Sequence, residues 1–182
     1  GAFLVDDVSL TMRHVDFADG GYVQIHNGRG TIEDVTVRRM SDACVSLASA
    51  TWLGGAVTDC GGNGFELGDR AVIDGVAVSG AANAGVFADG FGSIVRNCDL
   101  HDNGTGLALA GNDNPTASHN RIARNGVGVE LFGDAAAVVS GNDIRDNDGE
   151  GVLVYPRAGA TSFAPVVSGN NIVANGLRTP PV

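Results

Sequence analysis

A seven-residue unit of alternating apolar and polar positions recurs eight times along the chain. Its copies begin at Thr11, Thr31, Thr51, Val72, Ile94, Thr116, Val138 and Val166. Successive copies start 20, 20, 21, 22, 22, 22 and 28 residues apart. In each copy the second, fifth and seventh positions are mostly apolar or Asn, and the last two follow the two-residue period of a strand. A unit this short cannot bury its own apolar face, so the copies must stack on one another.

A second strand is predicted between consecutive units. Its apolar pairs are Val23 and Ile25, Val45 and Leu47, Phe65 and Leu67, Val86 and Ala88, Leu107 and Leu109, Val129 and Leu131, and Val152 and Val154. A small residue precedes most pairs and is expected to let the chain bend sharply there; these residues are Gly64, Gly85, Gly106, Gly128 and Gly151. Helical periodicity is absent. A turn of about 20 residues with two or three short strands is typical of a parallel β-helix coil.

The run from Val139 to Val154 follows the pattern I-x-x-N-x-I-x-x-N-x-x-x-G-V-x-L. This pattern resembles the right-handed β-helix repeats of the pectate-lyase-like superfamily, and the resemblance extends from Thr11 to Gly176. It implies an all-β fold, a single-stranded right-handed parallel β-helix (solenoid) of about eight coils. We expect one such domain over residues 1–182, as a fragment of a larger protein. The fold implies little about activity, because lyases, hydrolases, epimerases, adhesins and tail spikes share it.

Asparagines recur at two positions of the repeat. The fifth position reads Val15, Val35, Gly55, Val76, Cys98, Asn120, Asn142 and Asn170, and a later turn carries Asn103, Asn125, Asn147 and Asn175. Equivalent positions of stacked coils lie about 4.8 Å apart. An amide carries both donors and an acceptor, so identical Asn residues at this spacing can bond one above another. We predict buried turn ladders; ligand binding by these residues is the alternative.

Charge excludes some partners. The chain has 21 acidic residues against 11 basic ones, all of them Arg, for a net charge of −10. Without a basic stripe, nucleic acid is not expected as a partner, and anionic membranes are disfavoured. No apolar run approaches the ~18 residues that span a bilayer, so no membrane insertion is predicted.

The three cysteines, Cys44, Cys60 and Cys98, are odd in number and lack C-x-x-C spacing. Neither a disulfide framework nor a zinc site is therefore expected, and all three are predicted to be small buried hydrophobes. Trp52 occupies the second position of its unit, where other copies carry Met, Ile, Val or Ala. Packing in the interior is predicted for Trp52, with sugar stacking as the alternative.

A cluster of charged residues is the strongest candidate for chemistry. Its members are predicted to share one outer face of three consecutive coils: Asp99, His101, Asp102, Arg121, Arg124, Asp143, Arg145 and Asp146. Acid and base alternate from coil to coil, which favours ion pairs between strands. The resemblance adds a second interpretation, since polysaccharide lyases of this fold place Asp and Arg on an outer sheet. An Arg fork also matches a uronate carboxylate. Both interpretations stay open at this point.

Two further groups of acidic residues are candidates for a metal site or a catalytic pair. Asp146, Asp148 and Glu150 alternate as oxygen ligands in one turn, which makes Ca²⁺ a candidate; no other cofactor is expected, and a solvated turn is the alternative. Glu66 and Glu130 face outward on the second strand, three coils or about 14 Å apart. That is too far for the carboxyl pair of an inverting glycosidase, which needs ~6.5–9.5 Å.

These observations favour a secreted, cell-surface or periplasmic β-helix segment that binds a carbohydrate polymer, within a polysaccharide lyase or epimerase. The alternative is a purely structural or adhesive repeat segment without an active site. Whether the chain is an enzyme is left open, and the oligomeric state is not predicted. The 28-residue spacing before Val166 predicts a protruding loop over Tyr155 to Pro165, with Tyr155 and Phe163 beside the charged face or packed on the coil.

Overall fold

The computed structural model of the chain describes residues 1–7, 9–26, 28, 30–110, 114–133, 136–156 and 163–176. Its strands, in chain order, are β1 (Phe3–Asp6), β2 (Thr11–Arg13), β3 (Asp16–Ala18), β4 (Val23–His26), β5 (Thr31–Glu33), β6 (Thr36–Met40), β7 (Val45–Leu47), β8 (Thr51–Leu53), β9 (Ala56–Cys60), β10 (Phe65–Leu67), β11 (Val72–Asp74), β12 (Ala77–Ser79), β13 (Ala84–Ala88), β14 (Ile94–Arg96), β15 (Asp99–His101), β16 (Thr105–Leu109), β17 (Thr116–Ser118), β18 (Arg121–Ala123), β19 (Val127–Gly133), β20 (Val138–Ser140), β21 (Asp143–Arg145), β22 (Val152–Pro156), β23 (Val166–Ser168) and β24 (Asn171–Val173).

These strands form three parallel sheets, each with one strand from each of eight successive coils. The first sheet has the order β1-β4-β7-β10-β13-β16-β19-β22, and the second has the order β2-β5-β8-β11-β14-β17-β20-β23. The third sheet has the order β3-β6-β9-β12-β15-β18-β21-β24. The predicted parallel β-helix is confirmed, and the repeated unit corresponds to the second and third strands of each coil.

The core lies between the three sheets. It contains the second residue of most strands of the second and third sheets, and the first and third residues of the first-sheet strands β7 and β10. In the second sheet, Ile32 pairs with Trp52 and Trp52 with Ile73, and all three are fully buried. Trp52 packs edge-on against Phe65, with ring centroids 5.3 Å apart, and its Nε1 donates to the Gly54 carbonyl at 3.1 Å. The interior position predicted for Trp52 is confirmed. The indole N–H is satisfied inside the core, as a buried Trp requires.

The turn between the second and third strands is left-handed in every coil. The residue at this turn has φ between 50° and 70° in each case: His14, Asp34, Gly54, Gly75, Asn97, His119, Gly141 and Gly169. Gly, Asn, Asp and His are the types that adopt this conformation most readily. The composition of the fourth position of the repeat therefore follows from the backbone conformation of this turn.

Both asparagine ladders are present. The side-chain oxygen of Asn142 accepts from Asn120, and the Asn142 main-chain N–H donates to Asn170 Oδ1 at 2.9 Å. In the turn before the first sheet, Asn103 donates to Asn125, and Asn125 to Asn147. Asn120, Asn142, Asn125 and Asn147 are at most 1% exposed. The prediction that these residues hold the turns of adjacent coils together is confirmed.

Among the glycines before the apolar pairs of the first sheet, Gly106 and Gly128 lie within β16 and β19 and do not make the predicted bend. Gly106 and Gly128 do not have positive φ. A Cβ at Gly106 would lie 2.7 Å from Asn125 Nδ2 and 2.5 Å from Ile122 Cγ2. A Cβ at Gly128 would lie 2.9 Å from Asn147 Nδ2. These positions are glycine because the ladder amide of the next coil occupies the space of a side chain.

The cysteine prediction was wrong for two of the three residues. Cys44 and Cys60 form a disulfide, with Cα atoms 5.5 Å apart and a sequence separation of 16 residues. Cys60 pairs in register with Met40, and Cys44 follows Met40 by four residues around a corner of the coil. Stacking therefore brings together two cysteines whose spacing matches no linear motif. Cys98 is free and buried, as predicted.

The predicted loop over Tyr155 to Pro165 lies in part outside the described residues. Tyr155 and Pro156 end β22 on the first sheet, and residues 157–162 lie outside the described part of the chain. Phe163 packs partly buried against the core. Tyr155 thus lies on the first sheet, whereas the charged cluster lies on the third sheet and the turn that follows it.

Candidate functional site

The charged cluster predicted from the sequence is assembled on the third sheet. Asp99, Arg121 and Asp143 are in register on β15, β18 and β21. Arg121 Nη1 lies 2.7 Å from Asp99 Oδ1, and both side chains are about two-fifths exposed. The guanidinium of Arg121 is therefore already paired with the coil before it.

The turn after the third sheet carries the second row of the cluster. Arg124 donates to both carboxylate oxygens of Asp102, at 3.0 and 2.8 Å. His101 Nδ1 lies 2.7 Å from the same carboxylate. The hydrogen bond from Arg124 is the main cause that lowers the pKa of Asp102 to about 2; the His101 bond adds to the shift, and burial opposes it. Asp102 is thus ionised at neutral pH, and its carboxylate contacts both Arg124 and His101.

Arg145 completes the cluster within its own coil. Its Nε lies 2.8 Å from Asp143 Oδ2, without the alignment of a hydrogen bond, and its Nη1 lies 3.7 Å from Asp146. Asn171 Nδ2 donates to the other oxygen of Asp143 at 2.8 Å. All eight predicted residues lie on one face, and each of the three Arg residues faces a carboxylate. Their role as substrate-binding residues stays a prediction.

The same pairing occurs far from this cluster. On the third sheet and its turn, Arg38 contacts Asp16 and Arg39 contacts Asp19, each at 2.7 Å. On the second sheet, Arg96 lies 2.8 Å from Asp74. An arrangement that recurs on two sheets and along the solenoid indicates cross-strand stabilisation rather than one local binding site.

Among the described residues, the predicted calcium ligands Asp146, Asp148 and Glu150 do not form a metal-binding cluster. Across the described residues, no group of three or more His, Cys, Asp and Glu side chains lies close enough together to hold a metal ion. Asp146 faces Arg145, and Asp148 and Glu150 border an open depression together with Asn175. A calcium site at this turn stays a prediction.

The outer face of the first sheet has a different character, which the sequence interpretation missed. Its outward residues stack in register in one row: Gln24, Ser46, Glu66, Phe87, Ala108, Glu130 and Leu153. Most of these side chains are half-buried. The period-two outward positions of the second predicted strand are the signal for this row in the sequence.

Aromatic rings line the part of this face nearest the last coils. Phe132 stacks on Tyr155, with centroids 5.6 Å apart and planes inclined by 15°, and Phe87 lies 6.2 Å from Phe132. An open depression of about 370 Å³ is lined by Asn83, Phe87, Thr105, Ala108, Glu130 and Phe132, among others. We call this depression the aromatic groove.

Glu130 and Tyr155 form a fixed polar contact at the edge of the aromatic groove. The Tyr155 hydroxyl donates to Glu130 Oε1. This hydrogen bond, with burial as a secondary cause, raises the pKa of Tyr155 to about 12. The phenol is therefore protonated at neutral pH, and it holds the Glu130 carboxylate in place.

Polar side chains line the other end of the same face. Gln24 Nε2 lies 3.0 Å from His26 Nδ1, and His26 Nε2 lies 2.9 Å from Ser46 Oγ. Asn63 Nδ2 donates to Glu66 Oε1 at 3.0 Å. A second depression here, the polar groove, is lined by Tyr22, Gln24, Asp42, Ala43, Ser46 and Glu66. The two grooves lie on one continuous sheet surface.

Comparison with known proteins identifies the family to which this architecture belongs. Residues 54–178 match the family described as right handed beta helix region. The chain belongs to this family. In its crystal structure, an alginate lyase from Paenibacillus sp. str. FPU-7 superposes on this right-handed β-helix with a TM-score of 0.75 at 18% sequence identity, covering 91% of this chain and 70% of the lyase chain. None of the curated protein sequences matches this chain.

The comparisons confirm the predicted right-handed parallel β-helix. At 18% identity the likeness to the lyase shows the fold alone. No helix in the described part of this right-handed β-helix is long and apolar enough to cross a membrane. On its third sheet the polar groups satisfy one another, whereas on its first sheet rings and carboxylates border open grooves. The first-sheet face is therefore the candidate functional site.

Proposed function

We propose that this right-handed β-helix binds a polysaccharide along the outer face of its first sheet. The observation that carries the proposal is the row of Phe87, Phe132 and Tyr155 beside the Glu130 carboxylate. Aromatic rings offer apolar faces on which sugar rings stack. An ionised carboxylate accepts strong hydrogen bonds from hydroxyl groups. The two together suit a ligand that is apolar on one face and polar at its edge.

The length of the face suits a polymer rather than a single sugar. Seven strands, from β4 to β22, carry the outward row, so it extends over roughly 29 Å at the spacing of paired strands. Both grooves open on this row. A linear chain lying across the strands would contact the aromatic groove and the polar groove at once.

The disulfide supports an extracellular or periplasmic setting for such a ligand. Cys44 and Cys60 are bonded to each other. Disulfides persist in oxidising compartments and are rare in the cytosol. Polysaccharides of cell walls and matrices occur in the same compartments, which agrees with a secreted or cell-surface protein.

Binding is the function proposed, with a lyase or epimerase as the larger protein to which the segment would belong. The Tyr155 hydroxyl supports binding as a hydrogen-bond donor that holds the Glu130 carboxylate beside the aromatic groove. The second candidate is a purely structural or adhesive segment, which the repeated Arg–Asp pairs favour.

Affinity electrophoresis tests the proposal. The wild-type protein is run in native gels that contain one soluble polysaccharide at a time, neutral or acidic. We expect at least one polymer to retard it, and the Phe132→Ala, Tyr155→Ala double variant to lose that retardation while circular dichroism shows that it is still folded at the temperature of the gel. Phe91→Ala is the matched control, because Phe91 is 53% exposed on a turn outside both grooves. Absence of retardation by every polymer would refute carbohydrate binding and leave the structural segment.

A further inference from the structure

We infer that the polymer bound by the first-sheet face consists of neutral sugars, without carboxylate or sulfate groups. This inference rests on the proposed function and adds the substrate class. It follows from the charges that line the two grooves and from the positions of the described arginines, none of which lines either groove.

Every charged residue that lines the two grooves is acidic. Glu130 borders the aromatic groove, and Asp42 and Glu66 border the polar groove. No Arg is among the described residues that line either groove. The chain as a whole has no Lys and a net charge of −10. A uronate or sulfate polymer laid on this face would place like charges side by side without a compensating cation.

Seven of the eight described arginines face a carboxylate, and the eighth, Arg70, is exposed on the turn after β10 and lines neither groove. Arg121 and Arg124 are paired with Asp99 and Asp102 on the third sheet and its turn. Arg13 and Arg96, on the second sheet, contact Glu33 and Asp74 at 2.6 and 2.8 Å. The strands of the first sheet carry no Arg among the described residues. Recruiting a guanidinium from another sheet would break an existing pair and still leave it on the wrong face.

The carboxylates have remaining capacity to bind hydroxyl groups. Glu130 accepts from Tyr155 and Glu66 accepts from Asn63, one oxygen each. A carboxylate offers about four lone-pair sites, so each keeps acceptor sites that face the groove. Their partners hold them in place, which lowers the entropy lost on binding. Hydroxyl-rich neutral sugars supply the donors that such fixed acceptors need.

The likeness to an alginate lyase does not argue for an acidic polymer here. That protein is named for alginate, and the two chains share 18% identity, so only the fold is common. Ligand class is decided by side chains on the outer face, and these change freely without disturbing the inward core. The acidic lining of this chain points to a different ligand from the one in that name.

Polymers of defined charge test the inference. Wild-type protein is run in native gels with hydroxyethyl cellulose, β-glucan or galactomannan, and with alginate or polygalacturonate. We expect retardation by at least one neutral polymer, equal at low and high salt, and none by the acidic ones. Retardation by an acidic polymer would overturn the inference and leave the proposed function standing. Absence of retardation by all five would overturn both.

Variants of the two glutamates check that the carboxylates act as acceptors. In Glu66→Gln, Glu130→Gln, we expect the dissociation constant for the neutral polymer to rise roughly tenfold, since two charge-assisted acceptors are lost. Asp59→Asn is the matched control: Asp59 is exposed near the end of β9 on the third sheet, at φ 57°, which Asn adopts readily. Unchanged affinity in the double variant, or equal loss in the control, would contradict the inference. The melting midpoint of each variant identifies any change that comes from misfolding.

Discussion

The side-chain oxygen of Asn142 accepts two hydrogen bonds from Asn120, one from its main-chain N–H and one from Nδ2, both at 2.9 Å. Asn142 Nδ2 in turn donates to the Ala117 carbonyl at 3.1 Å. The ladder begins at the buried thiol residue Cys98, whose main-chain N–H donates to Asn120 Oδ1. One amide per coil therefore satisfies turn groups that the sheets leave without partners.

Replacing Asn142 tests the energy of this ladder. Asn142→Ala removes the acceptor of two Asn120 donors in a site that is 1% exposed. We expect a loss of about 1–3 kcal/mol in the free energy of unfolding, because buried donors without partners carry their full desolvation cost. Asn171→Ala is the control, since Asn171 is exposed and its side chain donates to the partly exposed Asp143 carboxylate. Urea unfolding measures both; equal midpoints for Asn142→Ala and wild type would contradict the prediction.

The disulfide gives a second stability prediction. Cys44→Ser with Cys60→Ser opens a loop of 16 residues and is expected to cost about 3 kcal/mol in unfolding free energy. The thiol of Cys98 should react slowly in the native protein, because burial raises its pKa to about 11. Alkylation followed by mass spectrometry checks the pairing. Three equally reactive thiols in the native, unreduced protein would show that the disulfide is absent.

Asp102 gives a prediction in acid. Its folded pKa of about 2 lies below the usual 3.8, so the stability it contributes is present above about pH 4 and is lost as pH falls towards about 2. Since the pair with Arg124 is half-exposed, the effect should be only ~0.2–1 kcal/mol. Acid titration of the melting midpoint should show a smaller decrease in Asp102→Asn than in wild type. Equal decreases in Asp102→Asn and wild type would contradict the prediction.

Tyr155 gives the corresponding prediction in base. Its pKa of about 12 is raised, so the stability from its bond to Glu130 is complete below about pH 10 and is lost as pH rises through 12. Tyrosinate absorbance should show one of the two tyrosines titrating near 12. In Glu130→Gln that transition should move towards the ordinary value, because the carboxylate acceptor is gone. A transition that stays near 12 in Glu130→Gln would assign the shift to burial.

Much of the scaffold could be predicted from the printed sequence. The repeat of 20 to 22 residues fixed which side chains are equivalent from coil to coil, and with them the inward position of Trp52 and the ladder of Asn142. The charged rows of Asp99 and Arg121 followed from the same count. These properties depend on which residues stack in adjacent coils. The spacing of the repeat gives this directly, because each coil stacks on the one before it.

Which side chains meet around the solenoid axis was decided only by the tertiary structure. Cys44 and Cys60 meet across a corner of the coil. Their sequence separation of 16 residues is shorter than one coil and matches no known spacing motif, so the sequence did not predict the disulfide. Phe132, Tyr155 and Glu130 converge on the first sheet because neighbouring strands bring their outward positions into contact. The free or paired state of Arg121 depended likewise on side-chain geometry. A linear repeat defines the stacking direction, but angular position around the axis and rotamer choice arise only when three sheets close on a common core.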